Sequence, residues 1–221
     1  MYLTHMPLNP QRRSTKELVA SPQHMHAAVL SAFVPGSTDA DRVLWRLETP
    51  EPHRLDLYIV SPVEPSLEAM VDQAGWTAQP VWRTADYTRL LNSVEAGQRW
   101  VFRLRANPVV SVRDAPGRRG KRVPLQRPGE QIGWLVDRSE RLGFNISAGA
   151  DGAPNIRVSD QQLLRFRRAH GDASRTVTLA TALFDGLLEV RDPDALRDTL
   201  VSGVGAAKGY GCGLLTLARV P

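Results

Sequence analysis

The order in which alternating and helical stretches follow one another restricts this chain's fold more than any single motif. "MYLTHMPL", from Met1, alternates as a short strand, and "SPQHMHAAVLSAF" reads as a helix with Ser21 as N-cap and Pro22 in its first turn. Met25, Ala28, Val29, Ala32 and Phe33 then form one apolar stripe at helical spacing. "RVLWRLE" and "RLDLYIVS", joined by a proline-containing turn, read as a hairpin. "PSLEAMVDQAG" is a helix that ends at Gly75, and "WTAQPVWR" is a proline-interrupted edge strand. Strand, helix, strand, strand, helix, strand is the ferredoxin-like order, a sheet covered on one side by two helices.

The second half repeats that order loosely. "RWVFRLRANPVVSV" is a strand, "PGEQIGWLVDRSERLG" a helix, "RTVTLATALFDGLLEV" strand material, "DPDALRDTLVSG" a helix and "GLLTLARV" a closing strand. The expectation is an α+β protein of two tandem ferredoxin-like (RRM-like) domains, residues 1–90 and 97–221, with the linker inside Thr84 to Gly97. At 221 residues the chain suits one large or two small domains. "RDAPGRRGKRVPLQRPGE" interrupts the second half as a Gly/Pro/Arg-rich loop, expected to be mobile without a ligand.

Charge divides along the same line. Residues 1–95 carry 8 Lys and Arg against 11 Asp and Glu, and residues 96–221 carry 20 against 12. A basic half is the footprint of a surface that faces phosphates. Lysine stands only at 16, 121 and 208, so guanidinium groups, which grip phosphate bidentately, supply nearly all of it. Cys212 is the only cysteine, which excludes an internal disulfide or a cysteine-rich zinc site. No histidine motif suggests a metal, so no metal or cofactor is expected. The chain offers no long apolar run and no secretory leader, so a cytoplasmic protein without membrane contact is expected.

Three groups of residues could carry chemistry. "SGVGAAKGYGCGLLTL" places glycines at 203, 205, 209, 211 and 213 around Lys208. A loop of this kind either makes a permissive turn or aims amide groups at an anion, and it matches neither a Walker A loop nor the dinucleotide fingerprint. In "RWVFRLRANP" alternation puts Trp100, Phe102 and Leu104 on one face and Val101, Arg103 and Arg105 on the other, so the aromatics read as core rather than as a base-stacking platform. Arg118, Arg119, Lys121 and Arg122, with Arg165, Arg167 and Arg168, suit phosphates, or else a solvated surface, and Arg103 and Arg105 are read with them as RNA-binding. His24 and His26 lie in the first two turns of the first helix, about 200° apart, so they cannot share a metal. His26 lies at the edge of the apolar stripe with Gln23 one turn earlier, where an imidazole can exchange a proton near neutrality.

Together "MYLTHM", "MH" in the first helix, "FRLRANP", "GKRVPL", "EQIGWL" and "GVGAAKGYGCGLLTLA" resemble the CasE family, the CRISPR repeat-RNA endoribonuclease of type I-E systems, over nearly the whole chain. The resemblance implies two ferredoxin-like domains that bind the hairpin of a CRISPR repeat transcript and cut at the base of its stem without metal. It implies 2′-hydroxyl attack, a cyclic phosphate product, and retention of that product within the Cascade complex, whose other subunits are partners. The family histidine falls at His26. The family tyrosine falls at Gln23, which can hydrogen-bond but not titrate. Gly203, Gly205, Gly209 and Gly211 are then close-approach residues for the RNA backbone with Lys208 beside the phosphate, and the basic loop and Arg165 to Arg168 cover the stem. A non-catalytic hairpin-binding subunit and an enzyme for a small phosphate ligand are the other classes compatible with these residues.

Overall fold

The fold is described from a computed structural model covering residues 1–37, 43–76, 82–112, 120–170 and 173–220; for 167–170 and 173–175 only the backbone is described. Its first sheet is antiparallel, in the order β2-β3-β1-β4, with β1 at Tyr2–Leu8, β2 at Leu44–Glu51, β3 at Arg54–Ser61 and β4 at Arg83–Asp86. Alternation along β1 and β3 turns Met6, Leu8, Leu57 and Ile59 into a core with Met25 and Val29 of helix α2 (Pro22–Leu30) and Met70 of helix α3 (Glu68–Ala74). Ser21 caps α2 as expected, its hydroxyl accepting from the His24 amide at 3.3 Å, and Gly75 closes α3.

Two details differ from the sequence reading. A further helix, α1 (Arg13–Ala20), precedes α2; it is short, and only Thr15 and Leu18 are buried, so its apolar pattern is faint. Its polar residues terminate α3 instead: Thr15 Oγ1 donates to the Ala74 carbonyl at 3.2 Å, and the Ser14 hydroxyl donates to that of Gln73. The last strand also lies later than "WTAQPVWR" suggests. Residues 77–81 are outside the described residues, and Thr84 to Asp86, expected in a linker, complete β4, where Thr84 bonds Thr4 side chain to side chain at 3.0 Å. Helix α4 (Thr88–Asn92) follows, so the span from Thr84 to Gly97 is largely structured.

The second sheet runs β11-β5-β10-β8, with β5 at Arg99–Ala106, β8 at Phe144–Ile146, β10 at Ala173–Val190 and β11 at Leu215–Arg219. Counted within this half, that order is again fourth, first, third, second, the same as in the first sheet. Helices α5 (Pro128–Ser139) and α6 (Pro193–Ser202) cover one face and bury Trp134, Leu135, Leu196 and Leu200 against Phe102, Phe144 and Phe184. The three-residue β8 was not foreseen, nor was β9 (Ile156–His170), which pairs with β10 as a long hairpin. Asn107-Pro108 splits the single strand expected from Arg99 into β5 and β6 (Val109–Val112). The Arg-rich insert is only partly loop, since Lys121–Pro124 forms β7 paired with β6.

The two sheets are joined by the side of the first sheet that faces away from α2 and α3. Leu44 and Val60 enter the second core there. Arg46, 2% exposed, reaches across: it donates to the Leu214 carbonyl at 2.7 Å, the Arg103 carbonyl at 3.1 Å and Thr216 Oγ1 at 2.9 Å, while Glu48 accepts from its Nε at 2.9 Å.

Candidate RNA-processing site

His26 stands one turn into α2, half-buried, with its ring held from two sides. From β2, the Trp45 indole Nε1 donates to His26 Nδ1 at 3.3 Å. Across the ring, the glycine-rich loop approaches so closely that a Cβ on Gly209 would lie 3.2 Å from Nε2. Burial lowers the His26 pKa from its ordinary value, so the ring is neutral at physiological pH.

The loop is tied down on both flanks. It carries a 3-10 turn at Lys208–Tyr210, and the Tyr210 ring meets the edge of Phe166 on β9 with centroids 4.9 Å apart. Cys212 is fully buried beside these rings, and burial pushes its thiol up to about 12, so it is no nucleophile. A cavity of about 110 Å³ opens next to the loop, with Met25, Trp45, Arg105, Asp160, Tyr210 and Gly211 in its wall.

The glycines differ in what they approach within the protein. Gly209 alone faces His26. Cβ atoms on Gly203 and Gly205 would meet Leu44 at 2.9 Å and Trp134 at 3.2 Å. Gly211 has φ +77° and would place a Cβ 2.7 Å from the Trp45 ring, so it is required by both backbone conformation and packing. Each of these three has a packing reason of its own within the fold.

The arginines also separate. Arg103 donates to Asp185 and Glu48, each at 2.6 Å, and Arg105 pairs with Asp160, whose φ of +43° sits at an irregularity in the β9–β10 ladder. Both β5 arginines are therefore held in ion pairs by carboxylates of the protein, with the Arg103 side chain still 40% exposed. Arg165 on β9 and Lys121 and Arg122 on β7 are exposed. Arg167 and Arg168 continue β9, with their side chains outside the described residues, as are Arg118 and Arg119 altogether. Gln161 on β9 donates to the Gln126 carbonyl at 2.9 Å, so the end of β7 lies against β9. His24 is exposed. Gln23 has its Oε1 buried without a hydrogen-bond partner. Lys208 lies in the loop, partly exposed.

Trp45 and Tyr210 escaped the sequence reading. Alternation marks Trp45 as core-facing but cannot say which side chain it meets, and Tyr210 is hidden among glycines.

A four-stranded and a five-stranded sheet, each built on the ferredoxin-like order, with a histidine under a glycine-rich loop, define the class of this protein. Its sequence matches the family model described as CRISPR associated protein over residues 1–219, and the chain belongs to that family. It is 33% identical over 229 residues to the CRISPR-associated endoribonuclease Cse3 of Thermus thermophilus, covering 99% of this chain and all of the relative. It is 36% identical over 132 residues to the CRISPR system Cascade subunit CasE of Escherichia coli, covering 57% of this chain and 60% of that protein. The structure of Thermus thermophilus Cse3 bound to an RNA representing a pre-cleavage complex superimposes with a TM-score of 0.79 at 30% identity, covering 99% of this chain and 98% of that one.

Proposed function

We propose that this protein is a CRISPR RNA-processing endoribonuclease that binds the hairpin of repeat transcripts, cleaves at the base of the stem and stays on its product as a Cascade subunit in the cytoplasm. Two units, residues 1–90 and 97–221, divide the work: the first supplies His26, the second the glycine loop and the basic strands. The observation that carries the reading is Nε2 of a neutral His26 facing Gly209, in a loop bound through Tyr210 to the arginine-bearing strand β9. An RNA backbone lying along β9 and β7 is met by Arg165, Lys121 and Arg122, with Arg167 and Arg168 further along β9 and Arg118 and Arg119 a few residues before Lys121 in the sequence. A-form RNA offers little base information in its deep groove, so phosphate and shape are what such a surface reads.

The reaction is a transesterification. The 2′-oxygen forms a bond to the adjacent phosphorus as its proton passes to water, the bond to the 5′-oxygen breaks, and that oxygen takes up a proton from water. The products carry a 2′,3′-cyclic phosphate and a 5′-hydroxyl. His26 supplies hydrogen bonding or proton transfer at the phosphate, Lys208 a positive charge, and Gln23 a neutral contact. No nucleophile from the protein is required.

The test is single-turnover cleavage of a hairpin RNA panel in excess EDTA, with end-group analysis. Cyclic phosphate ends formed in chelator are expected. His26→Ala is expected to lower the rate by about 10²- to 10⁴-fold, the usual share of one acid–base group, with hairpin affinity within a few-fold. A 3′-hydroxyl product, or cleavage by His26→Ala at the wild-type rate, overturns the reading. The titratable tyrosine's replacement by Gln23 favours one second reading, a binding subunit that retains the hairpin without cutting it, for which no variant would change the RNA ends.

A further inference from the structure

Trp45 lies on β2 directly against α2, 3% exposed, with its indole Nε1 3.3 Å from His26 Nδ1. An indole N–H only donates, so Nδ1 must present its lone pair and the hydrogen of the neutral ring sits on Nε2. Nε2 is the atom that faces the glycine loop. We propose that Trp45 is a positioning residue that locks His26 in its Nε2–H tautomer, so that the ring meets the RNA backbone as a hydrogen donor. The inference rests on the reading of His26 as the group at the scissile phosphate and specifies which of its two faces does the work.

The contact has a second effect. A proton added at Nδ1 would set one N–H against another, so Trp45 opposes the imidazolium in the same direction as burial does. Charged and titratable groups on the elements packed against α2 are few. The loop brings Lys208 and Tyr210, α1 brings the exposed Arg13, Lys16 and Glu17, α2 itself the exposed His24, the cavity beside Met25 and Trp45 the paired Arg105 and Asp160, and β2 the exposed Glu51 at its far end and the pair Arg46 and Glu48, which alternation turns to the opposite side of the strand from Trp45. None is a carboxylate paired with the ring among the described residues. A neutral Nε2–H donates a hydrogen bond, not its proton, to a phosphoryl or departing 5′-oxygen, since losing that proton would leave an imidazolate, and the proton that the 5′-oxygen gains comes from water. It cannot accept the 2′-hydroxyl proton at that atom while its own hydrogen remains there.

Long-range proton–nitrogen NMR of the free protein reads the tautomer directly. Wild type is expected to show His26 with hydrogen on Nε2. Trp45→Phe, and replacement of Trp45 by benzothienylalanine, which keeps the bicyclic shape with sulfur for N–H, should mix the tautomers by about two- to twelvefold, the worth of one neutral hydrogen bond. Both should raise the His26 pKa and move the acid limb of the single-turnover pH profile upward, with hairpin affinity unchanged. Because activity needs the neutral ring, the loss should be greatest at low pH. Hydrogen on Nδ1 in wild type, or an unchanged tautomer and pKa in the isosteric replacement, overturns the proposal. The NMR result stands independently of cleavage, so a tautomer that shifts as expected in a protein whose His26→Ala variant still cuts would retain the lock and discard the catalytic reading.

Discussion

Gln23 stands where the resemblance implies a tyrosine, and the structure gives that residue a definite state. Its Oε1 is buried with no partner in the protein, an arrangement that normally costs free energy and that a ligand or ordered water would relieve. An amide can accept one hydrogen bond there but cannot exchange a proton near neutrality. Gln23→Ala is therefore expected to slow single-turnover cleavage by no more than about tenfold, the range of one neutral hydrogen bond, without lowering thermal stability. Gln23→Tyr, which restores the family residue, should be tolerated. A collapse at Gln23→Ala as deep as that of His26→Ala would make the amide indispensable and end its auxiliary role. His26 itself was legible through the resemblance and its place beside the apolar stripe. Its hydrogen-bond partner was not, because Trp45 comes from a different element, 19 residues on.

At the scale of elements, the loop from Gly203 to Gly213 and the strand β9 have separable tasks. Gly211→Val puts a branched side chain at φ +77° against Trp45, so it is expected to lower the unfolding midpoint strongly. Gly209→Val meets the His26 ring, with no positive φ to oppose the substitution, and should impair cleavage more than folding. Thermal melts beside cleavage by the folded fraction distinguish them: equal melting losses for both variants would return Gly209 to a purely structural role. For β9, neutralising Arg165, Arg167 and Arg168 together should weaken binding to all hairpins and flatten the salt dependence, each lost phosphate contact lowering the slope of log K against log salt by about one or less. An unchanged slope would place the RNA elsewhere. The arginines of β5 carry a different expectation from that of the sequence, because both face carboxylates that fold onto them from other strands.

For the whole molecule, the network of Arg46, Glu48, Arg103 and Asp185 ties one sheet to the other beside the apolar contact of Leu44 and Val60. Burial alone would raise the Glu48 pKa, but Arg46 and Arg103 outweigh it and hold the carboxyl below its ordinary value of 4.5. A folded-state pKa below the unfolded one means that the carboxylate's contribution is fully present above the unfolded value and is lost as pH falls through the folded value. Stability should thus decline in acid below about pH 4.5, where protonation begins to be linked to unfolding. Glu48→Gln is expected to cost about 3 kcal/mol at neutral pH, since it leaves buried Arg46 without its carboxylate, and to flatten that acid decline. Denaturant unfolding of both proteins across the acid range checks this; an unaltered acid decline in the variant would assign it to other carboxylates.

What the sequence determined by itself was what depends on near neighbours in the chain. Ser21 before Pro22 starts a helix, Gly75 ends one, and the alternation of Trp100, Phe102 and Leu104 assigns an inner face, because capping, φ preference and side-chain period act over a few residues. The twofold ferredoxin-like order was legible for the same reason. Tertiary structure decided the rest. The three-residue β8 and the polar β9 are strands because β10 offers them a ladder, not because of their own pattern. Arg46 binds a carbonyl 168 residues away and Arg103 a carboxylate 82 residues away, so one-dimensional charge counts could not tell these paired arginines from those left facing solvent. Only the folded chain brings Trp45 and Gly209 to opposite sides of the His26 ring, since hydrogen bonding and steric contact act at van der Waals range between segments whose pairing is set by the packing of two whole sheets.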